Sequence, residues 1–203
     1  MSLTKTVAVF LANGFEDMEA IIPIDILLRG GVNVVKVGVG TLEPTSSHNI
    51  KMVCDIGEDE FYSTYIEQES SLQLSALILP GGLGGSQNLA KSSVVSKVLT
   101  YAKERNILIA AICAAPALVL SPLGILDNEV ATCYPGFETH FPKTTTYVED
   151  YDVVFSHTVV SARGPGKAIA FGVFLLELLT TLVNAQKVCD GALITNNFSI
   201  YRA

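Results

Sequence analysis

The segment "ILIAAICAAPAL" (residues 107–118) is the part of the sequence from which the fold can be worked out. Its six leading apolar residues (107–112) predict a buried β-strand, and the small residues and Pro116 that follow predict the start of a helix. A strand that is apolar throughout is covered on both faces, which is typical of parallel sheets in α/β proteins. Cys113 lies at the turn between the two predicted elements.

The same alternation of strand and helix continues in both directions along the chain. Five further segments have strand-like patterns, and "IKMVCDI" (50–56) alternates in a way that suggests another strand. Three segments besides 115–126 have helical patterns with polar or glycine ends. The predicted strands are 6–12, 32–40, 75–82, 129–136 and 157–162, and the predicted helices are 18–31, 92–106 and 164–183.

These elements predict an α/β fold with a mainly parallel central sheet. In such sheets ligands bind beyond the carboxyl ends of the strands, where the order of the strands reverses. Three loops fall at predicted strand ends and carry reactive or glycine-rich sequence: 13–19, 81–86 and 113–116. We therefore expect the functional site at these loops.

The composition excludes several classes of protein. The 203 residues are 49% hydrophobic, enough for a large core, and we expect residues 1–203 to form a single domain. A net charge of −7 argues against binding to nucleic acid or to an anionic membrane. The most apolar segment, 168–183, is short for a membrane span and contains Glu177. Only 16% of residues are charged, so we expect a second subunit to cover part of the surface.

The cysteines and histidines point to a reduced protein without a metal site. The four cysteines (Cys54, Cys113, Cys133 and Cys189) form no C-x-x-C pair, and the first residues do not resemble a secretory signal. We therefore expect free thiols and a cytoplasmic location. The three histidines (His48, His140 and His157) lack the paired spacing of zinc ligands, and we expect neither a metal nor a cofactor.

Cys113 has two interpretations. Small residues around a nucleophile at a strand-to-helix turn are typical of the nucleophile elbow of hydrolases, and a thiol at a helix N-terminus has a lowered pKa. Alternatively, Cys113 is a small buried apolar residue, as free cysteines commonly are.

Glycines and carboxylates flank the predicted site. Gly81 and Gly82 end a strand, where they either form a turn or let backbone N–H groups approach a ligand. Glu16 and Asp17 are typical of a first helical turn, where carboxylates interact favourably with the helix dipole. Glu19 lies between Met18 and an apolar run, so its side chain is a candidate to point inward.

Five segments together resemble the ThiJ/PfpI superfamily, closest to the branch of the Parkinson-disease-associated protein deglycase (DJ-one). They occur in the same order over nearly the whole chain. The segments are "ANGFEDMEAIIPIDILLRGG" (12–31), "LILPGGLGGSQNL" (77–89), "IAAICAAPALVL" (109–120), "ATCYPGFE" (131–138) and "SARGPGKAIAFGVFLLELL" (161–179).

The resemblance implies a flavodoxin-like three-layer sandwich, a homodimer with Cys54 near its interface, and a cysteine on a nucleophile elbow. The nucleophile corresponds to Cys113. The acid that is held protonated beside its sulfur corresponds to Glu19. The backbone donors of the oxyanion hole correspond to Gly82 and Ala114.

One position departs from many relatives. Where these carry a histidine near the thiol, this chain has Tyr134, which donates a hydrogen bond but is a poor base at neutral pH. Tyr134 is therefore an auxiliary candidate, and Glu19 would carry the proton transfer. Ala114 follows the cysteine where the protease-like branch has histidine, and no His-x-Glu pair of the amidotransferase type is present.

The resemblance implies two functions. The first is a cofactor-independent glyoxalase or deglycase, classified as a hydrolase or lyase, that acts on methylglyoxal, glyoxal or their early adducts on proteins and protects against oxidative stress. The alternative is a redox-sensing protective protein or holdase chaperone in which Cys113 is oxidised to the sulfinic acid.

Overall fold

The computed structural model describes residues 5–68 and 74–203. Its centre is an eight-stranded sheet, and a separate pair of two-residue strands lies beside it. The strands are β1 (Thr6–Ala12), β2 (Asn33–Val39), β3 (Ile56–Gly57), β4 (Leu74–Leu79), β5 (Leu108–Ile112), β6 (Val130–Ala131), β7 (Thr146–Tyr147), β8 (Val153–Ser156), β9 (Val159–Ala162) and β10 (Ile200–Arg202).

The order of the strands confirms the predicted mainly parallel α/β sheet. It runs β10-β8-β9-β5-β4-β1-β2-β3, and β6 pairs with β7 in the separate pair. The hairpin of β8 and β9 is antiparallel, whereas the other strand pairs within the eight-stranded sheet are parallel. Parallel neighbours require crossover connections, which the helices of this chain supply.

Helices cover the sheet on both sides and complete a three-layer, flavodoxin-like sandwich. The α-helices are α1 (Asp17–Arg29), α2 (Glu58–Phe61), α3 (Leu83–Lys91), α4 (Ser93–Glu104), α5 (Ala168–Leu179) and α6 (Leu182–Ala192). One apolar core lies between the sheet and α1, α5 and α6, and a second lies between the sheet and α3 and α4. All seven residues of β1 are buried, because this strand contributes side chains to both cores.

Close packing of α1 on α5 fixes the position of the loop that precedes α1. A Cβ atom at Gly172 would lie 3.1 Å from the Cα atom of Pro23 and 3.0 Å from Ile26 Cδ1, so the two helices pack closely where α5 has glycine. The N-terminal turn of α1, which carries Asp17 and Glu19, is thereby held at the carboxyl end of the sheet.

Several predicted elements are wrong in extent. The expected strand 50–56 is mostly irregular, with a single bridge from Lys51 to Thr45 before β3. Residues 115–126 form a π-helical turn (Pro116–Leu120) and a 3₁₀ turn (Ser121–Leu123). Of the strand expected at 129–136, only the two residues of β6 form a strand. The elements α3, β8 and β10 were not predicted.

The long helix predicted at 164–183 is two helices. It opens with a 3₁₀ turn (Pro165–Lys167), and α5 ends at Leu179 because the backbone of the next residue, Thr180, leaves the helical region with a ψ of −99°. Thr181 then caps α6, because its hydroxyl oxygen accepts a hydrogen bond from Asn184 N at 3.1 Å. Within 5–68 and 74–203, no helix combines the length and apolar character needed to cross a membrane.

Candidate active site

The loops 13–19, 81–86 and 113–116 meet at the carboxyl ends of β1, β4 and β5, as predicted. Here the strand order reverses, since β1 has β2 on one side and β4 on the other. Glu16 N donates to Gly81 O at 3.1 Å, and Gly85 N donates to Gly14 O at 2.9 Å. A Cβ atom on Gly81 would lie 2.5 Å from Cys113 Cβ, so the loop 113–116 packs against the loop 81–86.

Cys113 occupies a sharp turn. Its φ angle is +65°, in the left-handed region that costs a non-glycine residue roughly 1–2 kcal/mol. Two backbone hydrogen bonds hold this conformation: Cys113 N donates to Ala162 O at 2.9 Å, and Tyr134 N donates to Cys113 O at 2.8 Å. The residue is 8% exposed, so its sulfur is nearly enclosed but reachable by a small molecule.

The backbone N–H groups of Gly82 and Ala114 lie beside the Cys113 sulfur and favour its thiolate form. Gly82 has a φ of +78°, and a Cβ atom there would lie 2.4 Å from Gly14 O. Glycine is therefore required at this position both for its backbone conformation and for the close approach of the first loop. The two N–H groups form a small anion-binding arrangement around the sulfur.

Glu19 supplies a buried carboxyl group beside this sulfur. It lies in the first turn of α1, is 0% exposed, and accepts a hydrogen bond from Gly81 N at Oε2 over 2.8 Å. The turn is capped by Glu16, whose Oε2 accepts from Glu19 N at 2.8 Å. The other carboxyl oxygen of Glu19, Oε1, is buried without a hydrogen-bond partner, and the carboxyl group interacts electrostatically with the Cys113 sulfur.

Burial raises the pKa of Glu19 to about 7, and the nearby charge of Glu16 acts in the same direction. The Cys113 thiol and the Gly81 N–H group favour the charged form and oppose this rise. A carboxyl group with a pKa near neutrality is suited to accept and donate protons at physiological pH.

The Cys113 thiol differs from the lowered pKa expected at a helix N-terminus. Burial and the adjacent Glu19 charge raise its pKa to about 12, while the N–H groups of Gly82 and Ala114 act in the opposite direction. The element that follows Cys113 is a π-helical turn of 5 residues, too short to supply a strong helix dipole. The Cys113 thiol and the Glu19 carboxyl group are coupled, so their protons titrate as a pair.

Tyr134 contacts the nucleophile through its backbone. Besides the N–H group that donates to Cys113 O, its ring packs edge-on against Phe137, with ring centroids 6.3 Å apart. The residue is 46% exposed.

A second group of polar residues lies beside the site. Glu16, Asp17 and His48 each bring one ligand atom within 4.8 Å of the others, a spacing that would allow metal binding. His48 Nδ1 and Asp17 Oδ2 are 2.6 Å apart. Although burial opposes it, hydrogen bonds from Ser46 and His48 hold the pKa of Asp17 below its ordinary value. Sequence reasoning missed His48 because 31 positions separate it from Asp17 and no local motif connects them.

The remaining cysteines are free and buried. Cys133 is 0% exposed, and burial raises the pKa of its thiol to about 12. Burial likewise raises the pKa of Cys54 to about 11. Cys189 lies in α6, within the core between this helix and the sheet.

The sequence of this chain matches the profile of the DJ-1/PfpI family over residues 5–178. The chain belongs to the DJ-1/PfpI family. It is 34% identical over 196 residues to Protein dj-1beta of Drosophila melanogaster, covering 96% of this chain and 100% of that protein. The crystal structure of Drosophila melanogaster DJ-1beta superimposes with a TM-score of 0.87 at 32% identity, covering 95% of this chain and 99% of the other. The fold and the DJ-1 branch inferred from the five motifs are thereby confirmed.

Two further proteins that are similar to this chain have descriptions that bear on function. A Caenorhabditis elegans protein named glutathione-independent glyoxalase DJR-1.2 is 29% identical over 164 residues, covering 81% of this chain and 82% of that protein. A structure described as Toxoplasma gondii DJ-1, oxidized, has a TM-score of 0.83 at 32% identity, covering 93% of this chain and 97% of the other.

Proposed function

We propose that this DJ-1/PfpI protein is a cofactor-independent glyoxalase or deglycase that converts α-oxoaldehydes to hydroxy acids. The observation that carries the proposal is the contact of the Cys113 thiol with a fully buried Glu19 carboxyl group whose pKa is about 7. This pair places a candidate nucleophile beside a candidate base. The glyoxalase name of the Caenorhabditis elegans relative supports the same class of reaction.

In the first step the Cys113 sulfur adds to the aldehyde carbon of methylglyoxal. The Glu19 carboxylate accepts the thiol proton as the carbon–sulfur bond forms, and the carbonyl oxygen takes up the developing negative charge. The N–H groups of Gly82 and Ala114, which lie beside the sulfur, would stabilise this oxygen. Glu19 then returns the proton to the oxygen, which gives a neutral hemithioacetal.

In the second step Glu19 moves a proton between carbons. Its carboxylate removes the hydrogen on the former aldehyde carbon, and the electron pair shifts to form an enediol with the neighbouring carbonyl. Protonation of that second carbon and loss of the hydroxyl proton of the first give a lactoyl thioester on Cys113. Water hydrolyses the thioester, which releases lactate and restores the thiol. The net reaction adds one water to methylglyoxal, with no redox cofactor.

The deglycase form of the reaction starts from an early adduct of the same aldehydes on a protein amine or thiol. The Cys113 sulfur bonds to the adduct's former aldehyde carbon, the bond from that carbon to the protein nitrogen or sulfur breaks, and the protein amine or thiol leaves with the proton that Cys113 gave to Glu19. The hemithioacetal that remains on Cys113 leads into the same thioester. Because Cys113 is 8% exposed, the small aldehyde carbon of the adduct would enter the site, and the adducted protein would remain outside.

Lactate formation from methylglyoxal tests the proposal. The wild-type protein should form lactate, and Cys113→Ala should form none. Cys189→Ala is the matched control, because it removes a buried thiol that lies in α6 instead of the site. Equal rates in wild type and Cys113→Ala, or no lactate from wild type, would rule out the enzyme reading.

A redox-sensing role is the second candidate, favoured by the relative whose structure is described as oxidized. The hydrogen-bond donors around the Cys113 sulfur suit the oxygens of a sulfinic acid as well as an oxyanion. Peroxide titration followed by intact mass measurement tests this role. A protein that forms no lactate, but whose Cys113 is oxidised by peroxide before its other thiols, would act as a sensor.

We further propose that the chain forms a homodimer and works in the cytoplasm. Apolar side chains remain exposed at the start of α1 and in the neighbouring 50–53 segment, namely Met18, Ile21, Ile50 and Val53. Sedimentation of wild type and Ile21→Lys tests the dimer: the substitution should shift the protein to monomer. The four free thiols agree with a reducing compartment.

A further inference from the structure

The chemistry proposed above leaves one thiol near the nucleophile unused. Cys133 lies two residues after β6 and directly before Tyr134. Since Tyr134 N donates to Cys113 O at 2.8 Å, the backbone of residue 133 runs alongside the nucleophile. Ordinary peptide geometry then separates the two Cα atoms by roughly 7 Å or less, the span of a disulfide.

The other two cysteines have different surroundings. The charged neighbours of Cys54 are Lys36 and Asp55, and that of Cys189 is Asp190. Cys133, in contrast, interacts electrostatically with the Cys113 sulfur itself, as well as with Glu138 and Arg163. Both sulfurs are enclosed, with Cys113 8% exposed and Cys133 0% exposed. A small oxidant therefore reaches Cys113 first.

The segment that carries Cys133 lies outside the sheet. It follows the end of β6 at Ala131 and forms irregular turns up to the 3₁₀ turn at Glu138–His140. No strand of the described chain includes it, so a shift of Cys133 toward Cys113 breaks no sheet ladder. Thr132 N donates to Ser161 Oγ at 3.0 Å and Tyr134 N donates to Cys113 O at 2.8 Å, so the backbone of residue 133 is held beside the nucleophile from both sides.

We propose that Cys133 is a resolving thiol that forms a reversible disulfide with Cys113 when the protein meets a peroxide. In the first step the Cys113 sulfur attacks the peroxide oxygen, the O–O bond breaks, and a sulfenic acid and water (or an alcohol) form. In the second step the Cys133 sulfur attacks the Cys113 sulfur, and the hydroxyl group leaves as water. The two thiols lose two electrons in total, which the peroxide accepts.

The disulfide protects the nucleophile. A sulfenic acid that is not resolved reacts with more peroxide to give a sulfinic acid, which thiols do not reduce. A disulfide, in contrast, returns to two thiols by exchange with a small dithiol. This inference concerns the sulfur alone, so it holds whether or not methylglyoxal is the substrate.

Peptide mapping of the wild-type protein tests the disulfide directly. Trypsin cuts after Arg105 and Lys143, so both cysteines fall in the peptide 106–143. A glutamyl endopeptidase then cuts after Glu129, between them, and also after Glu138. After brief treatment with stoichiometric hydrogen peroxide, the fragments 106–129 and 130–138 should stay linked until dithiothreitol separates them.

A substitution series gives the matched comparison. Cys133→Ser and Cys133→Ala should yield no linked fragments, and Cys113 should instead gain two oxygens that dithiothreitol does not remove. Cys54→Ser and Cys189→Ser should behave as wild type. Near-ultraviolet circular dichroism checks that the variants remain folded.

Three results would overturn the inference. In the first, Cys113 of the wild-type protein gains two oxygens while Cys133 can still be alkylated. In the second, Cys113 forms a disulfide with Cys54 or Cys189. In the third, the disulfide joins two molecules. Because the readout is mass, the inference and the proposed glyoxalase reaction fail separately.

Discussion

Glu19→Gln should abolish the proposed chemistry and make the protein more stable above neutral pH. The pKa of Glu19 rises from 4.5 to about 7 on folding, chiefly through burial. At about 1.4 kcal/mol per pH unit, ionising this buried group costs the folded state about 3 kcal/mol. Glutamine is similar in size and carries no charge, and its amide oxygen can still accept the hydrogen bond from Gly81 N.

The sign follows from the raised pKa. Below pH 4.5 Glu19 is protonated in both the folded and unfolded states, so it contributes no pH dependence. As pH rises from 4.5 through about 7, the folded state holds its proton longer than the unfolded state does, and wild-type stability falls by about 3 kcal/mol. The variant has no such group. It should therefore gain about 3 kcal/mol over wild type between pH 4.5 and pH 8.

Urea unfolding of both proteins at several pH values between 4.5 and 8 measures this difference. Comparing the two curves removes contributions from other carboxylates, which titrate in both proteins. Lactate formation should fall by about 10²–10⁴ in the variant, because it lacks the base. Two results would refute this difference. In the first, the free energies of unfolding of the two proteins change in parallel with pH; in the second, the variant is less stable than wild type at pH 8. Either result would show that ionisation of Glu19 does not destabilise the folded state.

Three further changes have defined outcomes. Gly81→Ala should destabilise the fold by about 1–3 kcal/mol and reduce lactate formation, because its Cβ atom would lie 2.5 Å from the Cβ atom of Cys113. Gly84→Ala is the control and should be tolerated, because its Cβ atom would lie 3.5 Å from the nearest atom. Equal midpoints of urea unfolding for the two variants would refute the clash. Tyr134→Phe should reduce kcat/KM less than about tenfold, or about 1.4 kcal/mol, since its contact with the nucleophile is a backbone N–H; a larger loss would assign its hydroxyl to the chemistry. Asp152→Asn should lower the free energy of unfolding by about 1 kcal/mol at pH 7, because it weakens the ion pair to Lys167. Although burial opposes it, hydrogen bonds to the Asp152 carboxylate hold its pKa below 3.8, so the difference between the two proteins should vanish as pH falls below that value. A constant difference in thermal unfolding across this range would contradict the ion pair.

The sequence predicted the parts of the fold that depend on continuous patterns. Apolar runs such as 6–12 and 107–112 predicted buried parallel strands, and the rule that ligands bind at strand ends selected the loops that the structure brings together. The inward orientation of Glu19 was predicted from its position before an apolar run. Each of these inferences uses neighbouring residues only, so local sequence was sufficient.

Features that depend on distant contacts or on single backbone angles were not predictable in this way. The break between α5 and α6 occurs inside an apolar stretch, where hydropathy is uniform and only the capping hydroxyl group of Thr181 marks the change. The sequence around β6 has the pattern of a longer strand. Directly after β6, however, Thr132 N donates to the side chain of Ser161 and not to a neighbouring strand. The pairing of His48 with Asp17 likewise arises only from the folded chain.

The pKa of Cys113 shows how the folded environment reverses a local rule. A thiol after a strand and before a helix has a lowered pKa when the helix is long and the sulfur is solvated. Here the following turn is short, the sulfur is buried, and a carboxylate lies beside it, so each of these features favours the neutral thiol. Reactivity must then come from moving the proton to Glu19 at the moment when the sulfur attacks. An aldehyde and a peroxide both require that same transfer, which is why one carboxyl group governs hydroxy-acid formation and oxidation alike, whereas Cys133 enters only after the sulfur has been oxidised.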